Sequence, residues 1–158
     1  MKKLNKIGIN QELSNKLVDK LNILLANYQL FYMNARGFHW NIKGEKFFEL
    51  HLKFEELYND ALLKVDEIAE RILTLDKIPF HAFADYLQAS AIKPAKNISD
   101  GKKAVKVVVD SLGELLVLER EIFKLAAKAE DEGTNAMMSD YIREQEKLVW
   151  MYSAYLEK

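Results

Sequence analysis

The chain has 158 residues, enough for one domain with a sizeable core, and no change in composition along it indicates a second domain. Its 23 Lys and Arg nearly balance its 24 Asp and Glu, and the net charge of -1 excludes a chain-wide cationic field for nucleic acid or anionic membrane. The absence of cysteine excludes disulfides and thiolate metal sites, and the N-terminus MKKLNKIGIN lacks the apolar stretch of a signal peptide. We therefore expect a single cytoplasmic domain, residues 1–158, with no membrane-spanning segment.

Two long helices are predicted in the first half of the chain. From Gln11 to Phe38, and again from Phe47 to Leu75, apolar residues recur at the three- and four-residue steps of a helix that buries one face. Residues 41–44 break this pattern. The connection between the two helices is therefore short.

Two further helices are predicted in the second half. Ser99 is placed to cap the third long helix, Gly133 to end it and Thr134 to cap the fourth. The preceding segment, Asp76–Asn97, contains both prolines, and its stretch PFHAFADYLQAS predicts a short helix because long structureless loops are uncommon in compact domains. Two short turns and one long middle connection predict an all-α, ferritin-like four-helix bundle, in which the crossover leaves the second and third long helices parallel.

Four potential metal ligands share one face of the second predicted helix. His51, Glu55, Asp66 and Glu70 follow one another at steps of 4, 11 and 4 residues, which at about 100° per residue places them within roughly a 100° sector. Because the same helix has an apolar face, we expect these carboxylates to be partly buried and to need partners. His51 and Asp66 nevertheless lie about 22 Å apart along the axis, since each residue rises about 1.5 Å. One chain therefore cannot close a site around a single ion.

Two copies of the chain can close such a site. If two of these helices pack antiparallel about a two-fold axis near Asp60 and Ala61, the His51 end of one meets the Glu70 end of the other. His39, just before the break between the helices, is placed to complete a site of two imidazoles and three carboxylates. Mixed nitrogen and oxygen ligation suits Fe(II), with Zn(II) as a competitor. The alternative is an ordinary polar helix face.

The stretch around the two histidines resembles a known family. HWNIKGEKFFELHLKFEELY, beginning at His39, and DEIAER, beginning at Asp66, are similar to the signature of the Dps proteins, the DNA-binding proteins from starved cells or miniferritins. The likeness covers nearly the whole chain, including the WM at Trp150. The resemblance implies a dodecameric cage of ferritin-like subunits that oxidises Fe(II), preferentially with hydrogen peroxide, at sites on subunit two-folds. It also implies storage of the ferric product and protection of DNA from oxidative damage.

Carried onto this sequence, the resemblance assigns the metal ligands to two subunits. His39 and His51 are ligands from one subunit, and Asp66 and Glu70 are ligands from its neighbour. Glu55 belongs to the site as well, although the family commonly has Asp at that position. The extra methylene of Glu55 keeps the charge and is expected to affect the position or the number of bound ions.

Other residues receive functional hypotheses. Trp40, beside the first histidine, is placed to quench a one-electron oxidation, with plain packing as the alternative. Asp131 and Glu132 fit the acidic residues that line the family's three-fold iron pores, with a solvated turn as the alternative, whereas Ala136 stands where another acid is common. No role is assigned to His81.

A short basic arm precedes the first helix. Residues 1–10 contain Lys2, Lys3 and Lys6 and no acidic residue, so twelve copies would add weak contacts with DNA phosphates. The net charge opposes tight binding. Direct DNA binding, and with it an association with the nucleoid, is therefore expected to be weak.

Two rival classes of protein fit parts of this pattern. A ferritin or bacterioferritin proper builds its di-iron site inside one bundle with Glu-x-x-His motifs. The residues three positions before the histidines are not glutamates but Arg36, Phe48 and Ile78. The other rival is a non-enzymatic helical oligomer, a scaffold or nucleoid-compacting protein, in which the acidic stripe forms ion pairs across an interface.

Overall fold

The computed structural model describes residues 3–157, and that part of the chain contains five helices. They are α1 (Gln11–Asn41), α2 (Phe47–Thr74), α3 (Phe83–Ala89), α4 (Gly101–Ala129) and α5 (Glu132–Leu156). The four long helices form the bundle, with α1 packed against α2 and α4, and α4 packed against α5. The all-α class and the short helix within the crossover are confirmed.

Hydrogen bonds at both ends of the bundle define the relative direction of α2 and α4. The backbone N–H of Lys43 donates to the carbonyl oxygen of Ser99 (3.0 Å), so α4 begins beside the start of α2. At the opposite end, Arg71 near the end of α2 donates to Asp131, which follows α4 (2.5 Å). Helices α2 and α4 therefore run parallel, as a long crossover requires.

The core is made by the apolar face of each long helix. Its fully buried members include Leu17, Leu21, Leu24, Phe54, Ile68, Ile72, Leu112, Leu115 and Met138. Burying one side chain of this size contributes about 1.5–3 kcal/mol. Packing of these side chains fixes the position of α1 against α2. The candidate site lies at the end of the bundle where α1 ends and α2 begins.

Three asparagines on α1 hold the crossover against the bundle: Asn22, Asn27 and Asn34. Their side-chain oxygens accept hydrogen bonds from backbone N–H groups of the crossover at 2.8–3.1 Å. Asn34 also donates to the carbonyl oxygen of Lys93 (2.9 Å). Because a side-chain amide offers both a donor and an acceptor, it pairs backbone groups that would otherwise be buried without partners.

Helix α4 begins one residue later than predicted. Ser99 is not its N-cap: Asp100 takes that position, and its side chain accepts from the backbone N–H of Lys103 (2.9 Å). The carbonyl of Ser99 is already engaged by the turn between α1 and α2. A long-range hydrogen bond therefore decided between two residues with similar capping preference.

The turn between α4 and α5 also differs from the prediction. Helix α4 ends at Ala129 and its C-cap, Glu130, has a left-handed φ of 58°. Asp131 caps α5, so the assignments to Gly133 and Thr134 are wrong. Gly133 lies instead in the first turn of α5. A Cβ there would come within 2.8 Å of the Arg71 guanidinium, so close packing by a distant side chain explains the glycine.

The described part of the basic N-terminal segment is folded onto the bundle. Leu4 and Asn10 form an isolated β-bridge, and the carboxamide of Asn5 accepts hydrogen bonds within the same loop. Lys6 forms an ion pair with Asp76 (2.8 Å). Residues 3–10 are thus not an extended arm, and Lys2 lies outside the described residues. None of the helices in residues 3–157 carries an apolar stretch that would cross a bilayer.

Candidate metal centre

Both predicted histidine ligands lie where α1 meets α2. Helix α1 continues to Asn41, beyond the predicted end at Phe38, so that His39 and Trp40 belong to its last turns. His51 lies in the second turn of α2, after the short connection. The structure therefore brings together the two imidazoles that the sequence separates by twelve residues.

The main-chain carbonyl oxygens of the two histidines fix the tautomer of both imidazoles. Their rings are stacked, with centroids 3.8 Å apart and planes 12° from parallel. Nδ1 of His39 lies 2.7 Å from the carbonyl oxygen of His51, and Nδ1 of His51 lies 2.7 Å from that of His39. Because a carbonyl oxygen only accepts hydrogen bonds, each Nδ1 carries the proton. In the neutral imidazole with this tautomer, Nε2 has a free lone pair, which is the form in which histidine binds a metal.

Aromatic rings enclose the histidine pair on two sides. The ring of Phe47 stacks on His51 at 5.0 Å, and the ring of Tyr58 meets His39 edge-on at 5.3 Å. Both imidazoles are half-buried. The rings restrict the rotation of the imidazoles, which keeps their nitrogens in place.

The outward face of α2 is apolar as well as acidic. Its large exposed apolar side chains are Phe48, Leu52, Leu62, Leu63 and Leu73. At about 100° per residue they fall in the same sector, roughly 120° wide, as the four predicted ligands of this helix. The buried residues of α2 lie on the opposite side. A long apolar face that its own chain leaves uncovered is typical of a protein interface.

The carboxylates are less buried in the single chain than predicted. Glu55 is half-buried beside the histidine pair, but Asp66 and Glu70 are exposed, so the expectation of partial burial is wrong for these two. The reason is that the ligand stripe faces away from the chain's own core. Within residues 3–157, no three His, Asp or Glu side chains are grouped so as to hold a metal ion. The predicted ligands of each chain therefore lie in two separate groups.

Trp40 lies at the rim of the same end of the molecule. Its side chain is 58% exposed, and the guanidinium of Arg36 sits 5.2 Å from its ring centroid. The alternative that Trp40 packs within its own core is therefore excluded for the single chain. The indole lies next to the histidine end without closing it.

The bundle interior contains a polar cluster that the sequence analysis missed. The hydroxyl of Tyr28 donates to Glu119 (2.6 Å) and accepts from the amide of Gln145. Burial raises the pKa of the Glu119 carboxyl to about 8, and the hydrogen bond from Tyr28 opposes this shift. Nearby Lys64 is 4% exposed and pairs with Asp60. The sequence contained one indication of this cluster, because Glu119 stands on the otherwise apolar face of α4.

The acidic turn before α5 is only partly available to solvent. Asp131 is 1% exposed: it caps α5 and accepts from Arg71, so its assignment to a solvent-lined iron pore is wrong. Its carboxylate oxygens are already used as hydrogen-bond acceptors by the N-terminus of α5 and by Arg71. Glu132 is exposed.

His81 is also exposed, and its Nδ1 lies 3.0 Å from the carbonyl oxygen of Pro79. It lies on the crossover, which begins at the far end of α2.

Known proteins share both the sequence and the fold. Residues 18–158 match the Ferritin family, described as a ferritin-like domain. A Porphyromonas gingivalis protein named DNA protection during starvation protein is 41% identical over 159 residues, covering 100% of this chain and 100% of that protein.

Two solved structures extend the comparison. A Dps protein from Vibrio cholerae O1, described as a member of a broad superfamily of ferritin-like diiron-carboxylate proteins, has a TM-score of 0.96 and 56% identity, covering 98% of this chain and 97% of its own. Dps from Staphylococcus aureus has a TM-score of 0.88 and 32% identity, covering 91% and 97%.

Proposed function

The chain belongs to the Dps family of ferritin-like proteins, and on that premise we propose that it oxidises Fe(II) and stores the ferric product. In this proposal the oxidation takes place at sites shared by two subunits of a dodecameric cage, with hydrogen peroxide as the preferred oxidant. Removing iron and peroxide together protects DNA, because their direct reaction produces hydroxyl radical. Iron is the substrate of the protein and its cargo.

The observation that carries the proposal is the outward face of α2. It holds His51 and Glu55 near one end and Asp66 and Glu70 near the other, with exposed leucines between them. Antiparallel pairing of two such faces about a two-fold axis covers the apolar surface and joins each partial ligand set to its complement. Pairing of two α2 faces would therefore both bury the exposed apolar surface and complete the site.

The side chains of this site supply binding, charge and orientation. His39 and His51 offer Nε2 lone pairs that the reciprocal hydrogen bonds aim without further adjustment. The carboxylates of Glu55, Asp66 and Glu70 neutralise the cations and raise their preference for the ferric state. Mixed nitrogen and oxygen ligation suits Fe(II) and also admits Zn(II), which is redox-inert and would inhibit.

Protection of DNA in this proposal does not depend on tight DNA contact. The net charge is -1, Lys6 is engaged by Asp76, and the described N-terminal residues are folded onto the bundle. The proposed setting is the cytoplasm, where Fe(II), peroxide and DNA meet. Any association with the nucleoid is expected to be weak and to fall steeply with salt.

The test combines assembly with kinetics. The purified protein is sized by light scattering, loaded anaerobically with Fe(II) and then mixed with peroxide or with oxygen. We expect a hollow dodecamer that oxidises Fe(II) faster with peroxide than with oxygen, and inhibition by Zn(II). A monodisperse monomer of 18.3 kDa would remove the basis of the proposal. An oligomer without catalysed oxidation would indicate a scaffold instead.

A further inference from the structure

We propose that Tyr58, Tyr32 and Tyr28 form a path along which an oxidising equivalent leaves the histidine end of the site and comes to rest on Tyr28 inside the bundle. The inference rests on the proposed iron oxidation, which supplies the entering oxidant. That oxidant is the hydroxyl radical formed when only one Fe(II) reduces a peroxide. The path confines this radical equivalent within the protein.

Neighbouring rings connect the site to the bundle centre. The ring centroid of Tyr58 lies 5.3 Å from that of His39 and 6.1 Å from that of Tyr32, both in edge-on contacts. Tyr32 and Tyr28 are four residues apart on α1, which places their side chains on one face of the helix with about 5–6 Å between Cβ atoms. Electron tunnelling weakens steeply with distance, so a series of neighbouring rings favours transfer in short steps.

The charges along the path favour transfer inward. The Arg36 guanidinium carbon lies 5.0 Å from the ring centroid of Tyr58 and 5.9 Å from that of Tyr32, and Arg36 donates to the Tyr32 hydroxyl. A cation at this distance opposes the removal of an electron from either ring. These two tyrosines are therefore poor resting places for the oxidising equivalent, and they act as relays.

Tyr28 differs from the two relays in its surroundings. Its side chain is 1% exposed, and its hydroxyl donates to Oε2 of Glu119 at 2.6 Å. A phenol that loses one electron becomes a strong acid, so its proton passes to Glu119 when that side chain is ionised. The Gln145 amide then remains as a donor to the phenoxyl oxygen. Burial keeps the resulting radical away from solvent and from DNA.

The cycle balances in electrons and protons. One Fe(II) reduces hydrogen peroxide to hydroxide and hydroxyl radical. The hydroxyl radical takes one electron from Tyr28 through Tyr32 and Tyr58 and becomes hydroxide, while the phenolic proton moves to Glu119. A second Fe(II) later returns one electron along the path, and the proton returns to Tyr28. In sum, two Fe(II) and one peroxide give two Fe(III) and two hydroxides.

The test uses two ways of creating the oxidising equivalent in the intact oligomer. In the first, Fe(II) at less than one ion per site is mixed with peroxide, and freeze-quenched samples carrying ring-deuterated tyrosine are examined by electron paramagnetic resonance. In the second, a ruthenium photo-oxidant with persulfate oxidises the iron-free protein. The second arm separates failure of the path from failure of the proposed iron chemistry.

The variants are Tyr28→Phe, Glu119→Gln and, as a matched control, Tyr152→Phe, which removes the hydroxyl of another buried tyrosine of the bundle. We expect a long-lived tyrosyl radical in the wild type and in the control. Tyr28→Phe should lose it, and Glu119→Gln, which keeps the shape of the cluster, should shorten its lifetime. An unchanged radical in Tyr28→Phe in the photochemical arm would overturn the path. A radical that depends on Tyr28 without iron supports the path even if iron oxidation is absent.

The proton step adds a second readout. The groups that face Glu119 are Tyr28 from α1, Lys64 from α2, Arg120 from α4, and Tyr141 and Gln145 from α5. Because the transfer needs the ionised form of Glu119, the yield of the Tyr28 radical should rise with pH in the wild type. In Glu119→Gln this rise should be absent. A rise of equal size in both proteins would exclude Glu119 as the proton acceptor.

Discussion

His39 and His51 orient each other through main-chain atoms: each Nδ1 lies 2.7 Å from the carbonyl oxygen of the other residue. Neither hydrogen bond depends on the partner's side chain. These two hydrogen bonds tie the last turns of α1 to the second turn of α2. Removing one imidazole should therefore leave the other with its hydrogen bond.

The first prediction is that His39→Ala strongly reduces iron oxidation while the fold is kept. Loss of a residue that only orients a metal ligand typically lowers activity by about 10–100-fold. Loss of the ligand itself should lower the rate of iron oxidation by at least that factor. Stability should change by only about 1 kcal/mol. Stopped-flow oxidation and thermal unfolding of the apoprotein check the two parts. Near wild-type oxidation would remove His39 from the ligand set.

The second prediction tests whether the site is shared by two chains. One variant carries His39→Ala and His51→Ala, and another carries Asp66→Ala and Glu70→Ala. Each variant alone should lose nearly all site-dependent oxidation, because every site lacks one partial ligand set. After co-refolding, one of the two sites in a mixed dimer again receives both intact sets, since the interface is isologous.

Random pairing makes about half of the dimers mixed, and each has one intact site of two, so roughly a quarter of wild-type activity should return. The measurement is the oxidation rate of oligomers whose mixed composition is verified by native mass spectrometry. A site within one chain predicts no recovery, because no chain in the mixture holds a complete ligand set. Absence of recovery would exclude the shared site even if iron still bound.

The third prediction concerns Trp40, which is exposed beside the histidine end. Trp40→Phe removes an easily oxidised indole and keeps an aromatic ring. Iron oxidation should remain nearly intact, because Trp40 is not a ligand, whereas the yield of trapped hydroxyl-radical adducts should increase. Spin trapping during the peroxide reaction measures this. Equal adduct yields would leave Trp40 with a packing role at the interface.

The fourth prediction is a pH dependence of stability that arises from Glu119. Its pKa is raised from 4.5 to about 8 in the folded protein, chiefly by burial, so the folded state binds the proton more tightly than the unfolded state. The stabilisation is complete below about pH 4.5 and is lost as the pH rises through about 8, by an amount on the order of 3–5 kcal/mol. Glu119→Gln should remove this part of the pH dependence. Unfolding midpoints at about pH 6 and about pH 9 compare the two proteins, and identical slopes would contradict the assignment.

The fifth prediction compares two arginines. Arg71 pairs with Asp131, whose side chain is 1% exposed, whereas Arg120 pairs with Glu146 on the surface, with side-chain exposures of 49% and 53%. Arg71→Met leaves a buried carboxylate without its cation and should cost about 3–5 kcal/mol. Arg120→Met should cost about 0–1 kcal/mol. Chemical unfolding gives both values, and comparable losses would show that burial of Asp131 does not govern the pair.

The amino-acid sequence by itself determined the helices, the long crossover with its short helix, and the shared face of the four predicted ligands of α2. These features follow from periodicity, and the angle between two side chains on one helix depends only on their separation along the chain. For the same reason, the distance from His51 to Asp66 along the helix axis already excluded a site closed by one chain. The resemblance added the family, which the comparisons confirm.

Only the tertiary structure decided which polar residues are buried and hydrogen-bonded within the chain. Asp131 fitted a pore residue and is instead buried against Arg71, while Glu119, which received no role from the sequence, lies at the bundle centre. The tautomers of the two histidines also depend on a contact between helices. The physical reason is that burial and hydrogen-bond partners are set by residues far away in the sequence, and no local pattern records them.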